Sequence, residues 1–323
     1  MTDTDRDPDR DQETAPDLPA GEARDGDSRC GFVAVMGAPN AGKSTLVNTL
    51  VGTKVSIVSP KVQTTRTRVR GVALHGPAQI VFIDTPGVFK PQRRLERSMV
   101  AAAWEGAADA DQVLVVVDAN RGLDDDTRSI ITGLRGQGRT DCLLALNKID
   151  TVRRDSLLAL AAALDAEGVF RTVFMISALK ADGTGDLLAA LAREALPGPW
   201  MFPEDEVSDL PQRLWAAEIT REQVFRQLHQ ELPYAALVES ESWQERADGS
   251  VRIDQVIYVQ RDSQRAIVLG KGGSRIRAIS TAARQEMSTL LERTVHLFLF
   301  VKVHDRLWDD RRHYAEWGLD YDA

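Results

Sequence analysis

The sequence predicts an α/β domain, a mostly parallel sheet flanked by helices, followed by a small α+β domain. Three observations carry this. Apolar runs at residues 32–36, 80–84, 113–118, 142–147 and 173–177 are hydrophobic throughout rather than in alternation, as in strands buried on both faces. Helical patterns at 43–51, 95–107, 127–134, 156–165 and 186–196 alternate with them, and strands joined through helices run parallel. Past residue 197 the order changes to a helical pattern at 218–230, two strand patterns around Asp248-Gly249 (237–243 and 251–259), a helix after Gly273 and a strand at 295–303.

The break is marked by Pro197-Gly198-Pro199-Trp200-Met201-Phe202-Pro203, with Glu204-Asp205-Glu206 and Pro211 behind it; helix breakers and charge together place a linker at 197–212. The expected organisation is a first domain over 30–196 and a second over 213–323. Residues 1–29 carry ten acidic residues against four arginines, −6 of the chain's net −8. They hold too few apolar side chains to offset their ordering entropy and are expected to form a disordered tail. With 323 residues, 43% hydrophobic and 27% charged, the rest has material for two cores, which excludes collagen-like, mucin-like and wholly disordered classes. Two cysteines cannot build a disulfide framework, which suits a reducing cytoplasm, and no apolar run is long enough to cross a bilayer.

Directly behind the first strand pattern stands Gly37-Ala38-Pro39-Asn40-Ala41-Gly42-Lys43-Ser44, followed by Thr45. This spacing between a strand and a helix makes a phosphate cradle. Glycines let backbone N–H groups turn toward phosphate oxygens, Lys43 reaches the β- and γ-phosphates, and the Ser44 hydroxyl ligates Mg²⁺. Asp84-Thr85-Pro86-Gly87 ends the strand pattern at 80–84 and supplies a carboxylate to hold Mg²⁺ through water and a Gly87 N–H to sense the γ-phosphate. Asn147-Lys148-Ile149-Asp150 ends a later strand. The Asp150 carboxylate can accept from both the N1–H and the exocyclic amine of guanine, a pair adenine does not offer. Ser177-Ala178 ends the last strand pattern and offers a backbone N–H to guanine O6. All four groups fall at strand C-termini, where open α/β sheets bind ligands. The expected ligands are GTP and GDP with Mg²⁺.

Gln63-Thr64-Thr65-Arg66 lies in a polar stretch, 53–70, suited to a switch loop. Thr65 is the expected third Mg²⁺ ligand after Ser44 and Asp84, and with Lys43 and Gly87 one of three catalytic residues. Val88 stands where Ras-like GTPases carry a water-orienting glutamine, so slow intrinsic hydrolysis is expected. Asn40 leaves two readings open, a turn asparagine or a ligand to K⁺ acting as a fixed charge near the phosphates.

In the second domain the apolar Ile267-Val268-Leu269, read as a strand, runs into Gly270-Lys271-Gly272-Gly273 and a helix that begins Ser274-Arg275-Ile276-Arg277. A GxxG loop clamps single-stranded nucleic acid in KH domains. Gly133-Leu134-Arg135-Gly136 has the same spacing, so context must decide. Residues 261–284 hold six Lys/Arg against one acid, a local +5 in a nearly neutral protein. Gly270, Lys271, Gly272, Gly273, Arg275 and Arg277 are the candidate RNA contacts. Trp215, Trp243, Trp308, Tyr314 and Trp317 could stack bases, with core packing the first reading for most of them.

These motifs, read as GAPNAGKS, QTTR, DTPGV, NKID and GKGGSRIRAI, with LWAAEITR at 214–221 and VKVHDRLWDD at 301–310, resemble the Era family. Its members are bacterial GTPases of the TrmE-Era-EngA-like superfamily, with a P-loop GTPase domain and a C-terminal type II KH domain. The likeness runs from about residue 31 to the C-terminus and leaves out the acidic segment. It implies binding near the 3′ end of 16S ribosomal RNA, assistance in assembly of the small ribosomal subunit, and a cytoplasmic protein in loose peripheral contact with the inner face of the membrane. A monomer is expected, and DNA is not an expected partner. The alternative from another class is a signalling or cell-cycle GTPase at the membrane surface whose second domain binds a protein.

Overall fold

The computed structural model describes residues 27–59, 61, 64–66, 68–228 and 232–323; the expectation for most of the acidic tail, and Gln63, lie outside the described residues. The first domain is built on a sheet of β1 (Arg29–Gly37), β2 (Val69–His75), β3 (Ala78–Asp84), β4 (Gln112–Asp118), β5 (Cys142–Asn147), β6 (Phe170–Met175) and the short β7 (Leu196–Pro197). The strand order is β2-β3-β1-β4-β5-β6. Only β2 against β3 and β7 against the start of β1 are antiparallel. Helices α1 (Lys43–Val51), α2 (Arg94–Asp109), α3 (Asp125–Gly136), α4 (Arg154–Asp165) and α5 (Thr184–Glu194) cover both faces. Leu46, Leu187 and Leu191 pack on Val33 and Phe82 on one side; Ile130, Leu134 and Leu164 pack with Met36, Val115 and Leu144 on the other. This two-sided cover is why β3 and β5 are buried at every residue and read as unbroken apolar runs.

β2 takes the end of the stretch expected as loop and continues past it. It is an edge strand of mixed polarity, VRGVALH, whose apolar run is only the three residues Val72-Ala73-Leu74. Gly71 is what lets α1 pack there, since a Cβ at that position would lie 2.9 Å from the Val51 side chain.

The chain after β7 is tied back onto this domain. Gln79, fully buried in β3, accepts the N–H groups of Met201 (2.8 Å) and Phe202 (3.0 Å) and donates to the Phe202 carbonyl at 2.8 Å. The Val72 N–H donates to the Val207 carbonyl at 2.9 Å. Buried amide groups satisfied in this way hold the connector at the sheet edge.

The second domain comprises α6 (Gln212–Gln227), β8 (Leu237–Glu245), β9 (Val251–Val259), α7 (Asp262–Leu269), α8 (Ser274–Leu290), β10 (Val295–Val303) and α9 (Arg311–Glu316), with strand order β10-β9-β8. Two expectations are corrected. The helix expected at 218–230 starts at Gln212 and ends at Gln227, where Leu228 turns to extended backbone. Ile267-Val268-Leu269, expected as a strand, is the last turn of α7. Three apolar residues are too few to reveal a period, and only Val268 is buried while Ile267 is 47% exposed. The glycine loop therefore joins two helices.

The switch stretch is where the domains meet. Ile57 packs among Ala216, Ile219, Met287 and Leu297. Lys54 is ion-paired with Glu222 on α6 and Glu286 on α8. Arg66 is 4% exposed. It donates to the carbonyls of Ala236 (3.2 Å) and Tyr234 (3.3 Å), and its guanidinium lies 5.1 Å from the Trp308 ring centre and 5.9 Å from that of Phe225. Beside it, Met99 and Ala102 of α2 pack with Leu307, Tyr314 and Trp317. Replacing Arg66 with Ala leaves two carbonyls short of a donor and removes the ring contacts, at about 2–4 kcal/mol. Scanning calorimetry of Arg66→Ala should show the second domain melting several degrees earlier; an unchanged profile would remove Arg66 from the energetics of the interface.

Candidate functional site

β1 ends in the middle of the sheet, and residues 37–44 wrap back over its C-terminal edge into α1. Two glycines make the curl possible. A Cβ at Gly37 (φ 154°) would lie 2.4 Å from the Val116 carbonyl oxygen, and one at Gly42 (φ 99°) 2.3 Å from Asn147 Nδ2. Asn147 braces the loop, donating to the Ala41 carbonyl at 2.9 Å while its Oδ1 accepts the N–H groups of Lys148 (2.8 Å) and Ala178 (2.9 Å).

Lys43 is buried, and its ammonium donates to the carbonyls of Gly37 and Ala38 at 3.1 Å each. Burial pushes its pKa down to about 8 against the pull of Asp84. Ser44 donates to Asp84 Oδ2 at 2.7 Å and lies 2.9 Å from Thr65 Oγ1, which is 3.4 Å from the same carboxylate oxygen. Burial raises the Asp84 pKa, with the Ser44 hydrogen bond and Lys43 opposing. Asp84 Oδ1 is buried with no hydrogen-bond partner among the described residues. Two hydroxyls and a carboxylate with a spare oxygen are a hard-donor set that fits Mg²⁺.

A cavity of about 390 Å³ opens over these groups, lined by Pro39, Lys43, Ser44, Thr65, Gly87 and Lys148 among others, and extends to Ile57, Val58 and Ser59 of the switch stretch. Gly87 approaches the cradle so closely that a Cβ there would lie 2.9 Å from the Pro39 nitrogen. The Thr85 hydroxyl donates to the Val35 carbonyl at 2.8 Å and fixes the strand end that carries Asp84. Val88 is buried in the sheet–helix core, its N–H donating to the Gly37 carbonyl at 3.1 Å, so its side chain has no access to the cavity.

At the far end, Lys148 (φ 64°) reaches back to the Asn40 carbonyl and to Asp118 Oδ2, both at 2.7 Å, bridging the cradle and the end of β4. Asp150 lies 3.5 Å from the Lys180 ammonium, and a hydrogen bond from Ser177 foremost lowers its pKa, which keeps it an acceptor. In the Ser177-Ala178 segment, expected to offer a backbone N–H to guanine O6, the tight turn at Ala178–Lys180 aims the Ala178 N–H at the end of β5, where it donates to Asn147 Oδ1.

The glycine loop is a second constellation. Gly270, Gly272 and Gly273 all have positive φ (70°, 60° and 75°), and a Cβ at Gly272 or Gly273 would meet nothing within 4 Å, so their backbone is open to an approaching strand. Behind them α8 begins without a side-chain cap, which leaves its first N–H groups for a phosphate. Lys271 and Arg277 are exposed beside the loop, whereas Arg275 folds back to donate to the Ile267 carbonyl at 3.2 Å.

Comparison with known proteins accords with both constellations. A family model for 50S ribosome-binding GTPases matches residues 32–148, and one for KH domains matches 231–306. GTPase Era of Rhizobium meliloti (strain 1021) is 59% identical over 294 residues, spanning 91% of this chain and 94% of that protein. The chain belongs to the Era family of GTPases. Agrobacterium fabrum Era is 58% identical over 91% of this chain and 92% of its own length. A crystal structure of Era in complex with MgGDPNP and nucleotides 1506–1542 of 16S ribosomal RNA superposes with a TM-score of 0.85 at 35% identity, covering 90% of this chain and 99% of that one. An Aquifex aeolicus Era variant bound to GDP·AlF4⁻ gives 0.84 at the same identity and coverage.

In this Era-family chain Lys43, Ser44, Thr65 and Gly87 line the cavity with Asp84 hydrogen-bonded behind Ser44, and Lys148 lines it farther along, whereas Asn147, Asp150 and Ser177 lie outside its lining. Sequence reasoning missed Asp118, which holds Lys148, and Arg221, almost fully buried on α6 and donating to the Thr64 carbonyl at 2.5 Å. Neither has a local signature, because each acts on a residue distant in sequence.

Two outcomes follow. Gly42→Ala, by pressing on Asn147 at a strained φ, should weaken GTP binding roughly ten- to hundredfold in a fluorescent-nucleotide titration; unchanged affinity would contradict the bracing role. A phosphate placed against Lys43 favours the charged ammonium, so above about pH 8 binding must take up a proton and affinity should fall as pH rises, with no contribution from this group below about pH 7. Calorimetry at about pH 8.5 in two buffers of different ionisation enthalpy measures that uptake, and finding none would overturn the assignment.

Proposed function

We propose that this chain is a GTP-hydrolysing switch that binds 16S ribosomal RNA near its 3′ end through its KH domain and assists assembly of the small ribosomal subunit. The observation that carries the reading is the adjacency of Thr65 and Arg66. The first stands at the Mg²⁺ donor set, the second is locked into the second domain, and one cannot leave its place without disturbing the other. The RNA assignment draws on the exposed glycine loop and its basic helix, and on the 16S ribosomal RNA bound by Era in the crystal structure named above. A cytoplasmic protein with peripheral membrane contact fits this role, and among the described residues no helix is long and apolar enough to cross a membrane.

The chain's own groups act by position and charge. Lys43 neutralises the phosphates, the Gly87 N–H is close enough to the cradle to register the γ-phosphate, and Asp150 selects guanine. Ser44, Thr65 and Asp84 would hold Mg²⁺, which would supply positive charge against the phosphates. Buried Val88 cannot orient the attacking water, so turnover by the protein alone should stay below about 0.1 per second. A rate many times higher would place a water-orienting group elsewhere in the switch stretch. Asn40, with φ 62° at the cradle's rim, is our candidate K⁺ ligand, to be tested by comparing rates in K⁺ and Na⁺.

The switch reading requires state-dependent RNA affinity. In fluorescence anisotropy at fixed salt, a 16S 3′-end strand should bind more tightly than a scrambled strand, and differently with GDPNP than with GDP. Equal affinity in both states would sink the coupling. No selective RNA binding in either would leave a GTPase whose second domain serves a protein.

A further inference from the structure

We propose that single-stranded RNA held at the glycine loop continues beyond α7 into a groove between the two domains, where it touches both elements that respond to GTP; this rests on reading the second domain as an RNA clamp. Two cavities, of about 330 and 440 Å³, share Arg93, Tyr234 and Trp308 as walls and so form one groove. At one end are Gln264 and Ile267 of α7, the helix that leads into Gly270. Ile267 is 47% exposed on a helix whose other exposed residues are Asp262, Ser263, Arg265 and Ala266. At the other end are Arg94 and Arg97 on the first turn of α2, and Arg66.

The chemistry suits a strand of nucleotides. Tyr234 and Trp308 are half-buried rings, able to stack bases of any sequence, and the exposed Arg93, Arg94 and Arg97 supply charge for the backbone. The acids in the wall are already engaged: Glu96 accepts the N–H groups of Gln92 (2.7 Å) and Arg93 (3.2 Å), and Asp309 lies 3.6 Å from Arg94. Continuity with α7 and this excess of positive charge favour RNA over a protein segment.

The place gives the groove its meaning. Trp308 carries the Arg66 guanidinium at 5.1 Å, so a base on that ring shares a platform with the residue beside Thr65. Arg93 caps the start of α2, the helix that follows Asp84-Thr85-Pro86-Gly87. A strand seated here binds more tightly in whichever nucleotide state holds Thr65 and α2 as seen, and by reciprocity it raises nucleotide affinity in that state by the same factor.

The test compares two labelled RNAs on the full chain with GDPNP and Mg²⁺ at fixed salt. One is a strand of about five nucleotides that spans only the clamp; the other is the same core extended at both ends to about twelve. The extended strand should bind at least about tenfold more tightly. Arg93→Glu, an exposed position, should remove most of that gain and leave the short strand within about twofold, while Arg93→Lys retains it. No gain on extension, or a gain that survives Arg93→Glu, would overturn the groove. Gly272→Asp tests the clamp separately: if the short strand binds it as well as the unaltered chain, the clamp reading fails. Free AMP or CMP that abolishes the gain at millimolar concentration would identify a mononucleotide site and overturn the RNA assignment.

Discussion

Placing the Arg66 guanidinium between two domains removes a charge from water, and the arrangement survives only because two carbonyls and the faces of Trp308 and Phe225 replace the lost hydration. None of these partners belongs to the first domain. Arg66 is therefore held by the second domain while Thr65, one peptide bond away, is held by Ser44 and Asp84 of the first. A chain that can be extended by only about 3.5 Å per residue leaves no slack between such anchors. The position of the second domain and the completeness of the Mg²⁺ donor set are thus two expressions of one constraint.

Further contacts reinforce it. Arg221 donates to the Thr64 carbonyl, Arg226 to that of Val58, and Lys61 to those of Phe225 and Leu228. Switch backbone is met by α6 at several points, and Lys54 extends the contact to α8, whose N-terminus carries the glycine loop. An α-helix of 17 residues is a stiff lever, so a shift of Glu286 near one end is transmitted to the loop at the other. Packing of α2, the helix that follows Asp84-Thr85-Pro86-Gly87, against Leu307, Tyr314 and Trp317 ties that helix to the same domain.

Much of this was legible in the sequence, for physical reasons that differ by element. The centre of the sheet announced itself because β3, β4 and β5 are buried on both faces, and the cradle because only glycines tolerate the φ values at 37 and 42. β2 was not legible, since Arg70, Gly71 and His75 leave it only Val69 and the three-residue run Val72-Ala73-Leu74, too short to reveal a period. The last turn of α7 looked like a strand because Ile267 remains in water, contrary to its chemistry. The Mg²⁺ donor set was readable residue by residue from motif chemistry, whereas the bracing by Asn147, the engagement of the Ala178 N–H and the burial of Arg66 depend on tertiary approach. A sequence shows which groups are available; it does not show which backbone N–H another side chain has already claimed.

If the switch stretch is shared between the metal donor set and the second domain, ordering one must order the other. Hydrogen–deuterium exchange of the full chain, compared with GDPNP and Mg²⁺ against GDP, tests this most directly. Slower exchange with GDPNP not only around 42–45 and 64–66 but also along α6, more than 140 residues away in sequence from Arg66, is the predicted result. Protection confined to the first domain, with α6 and α8 unchanged, would contradict it.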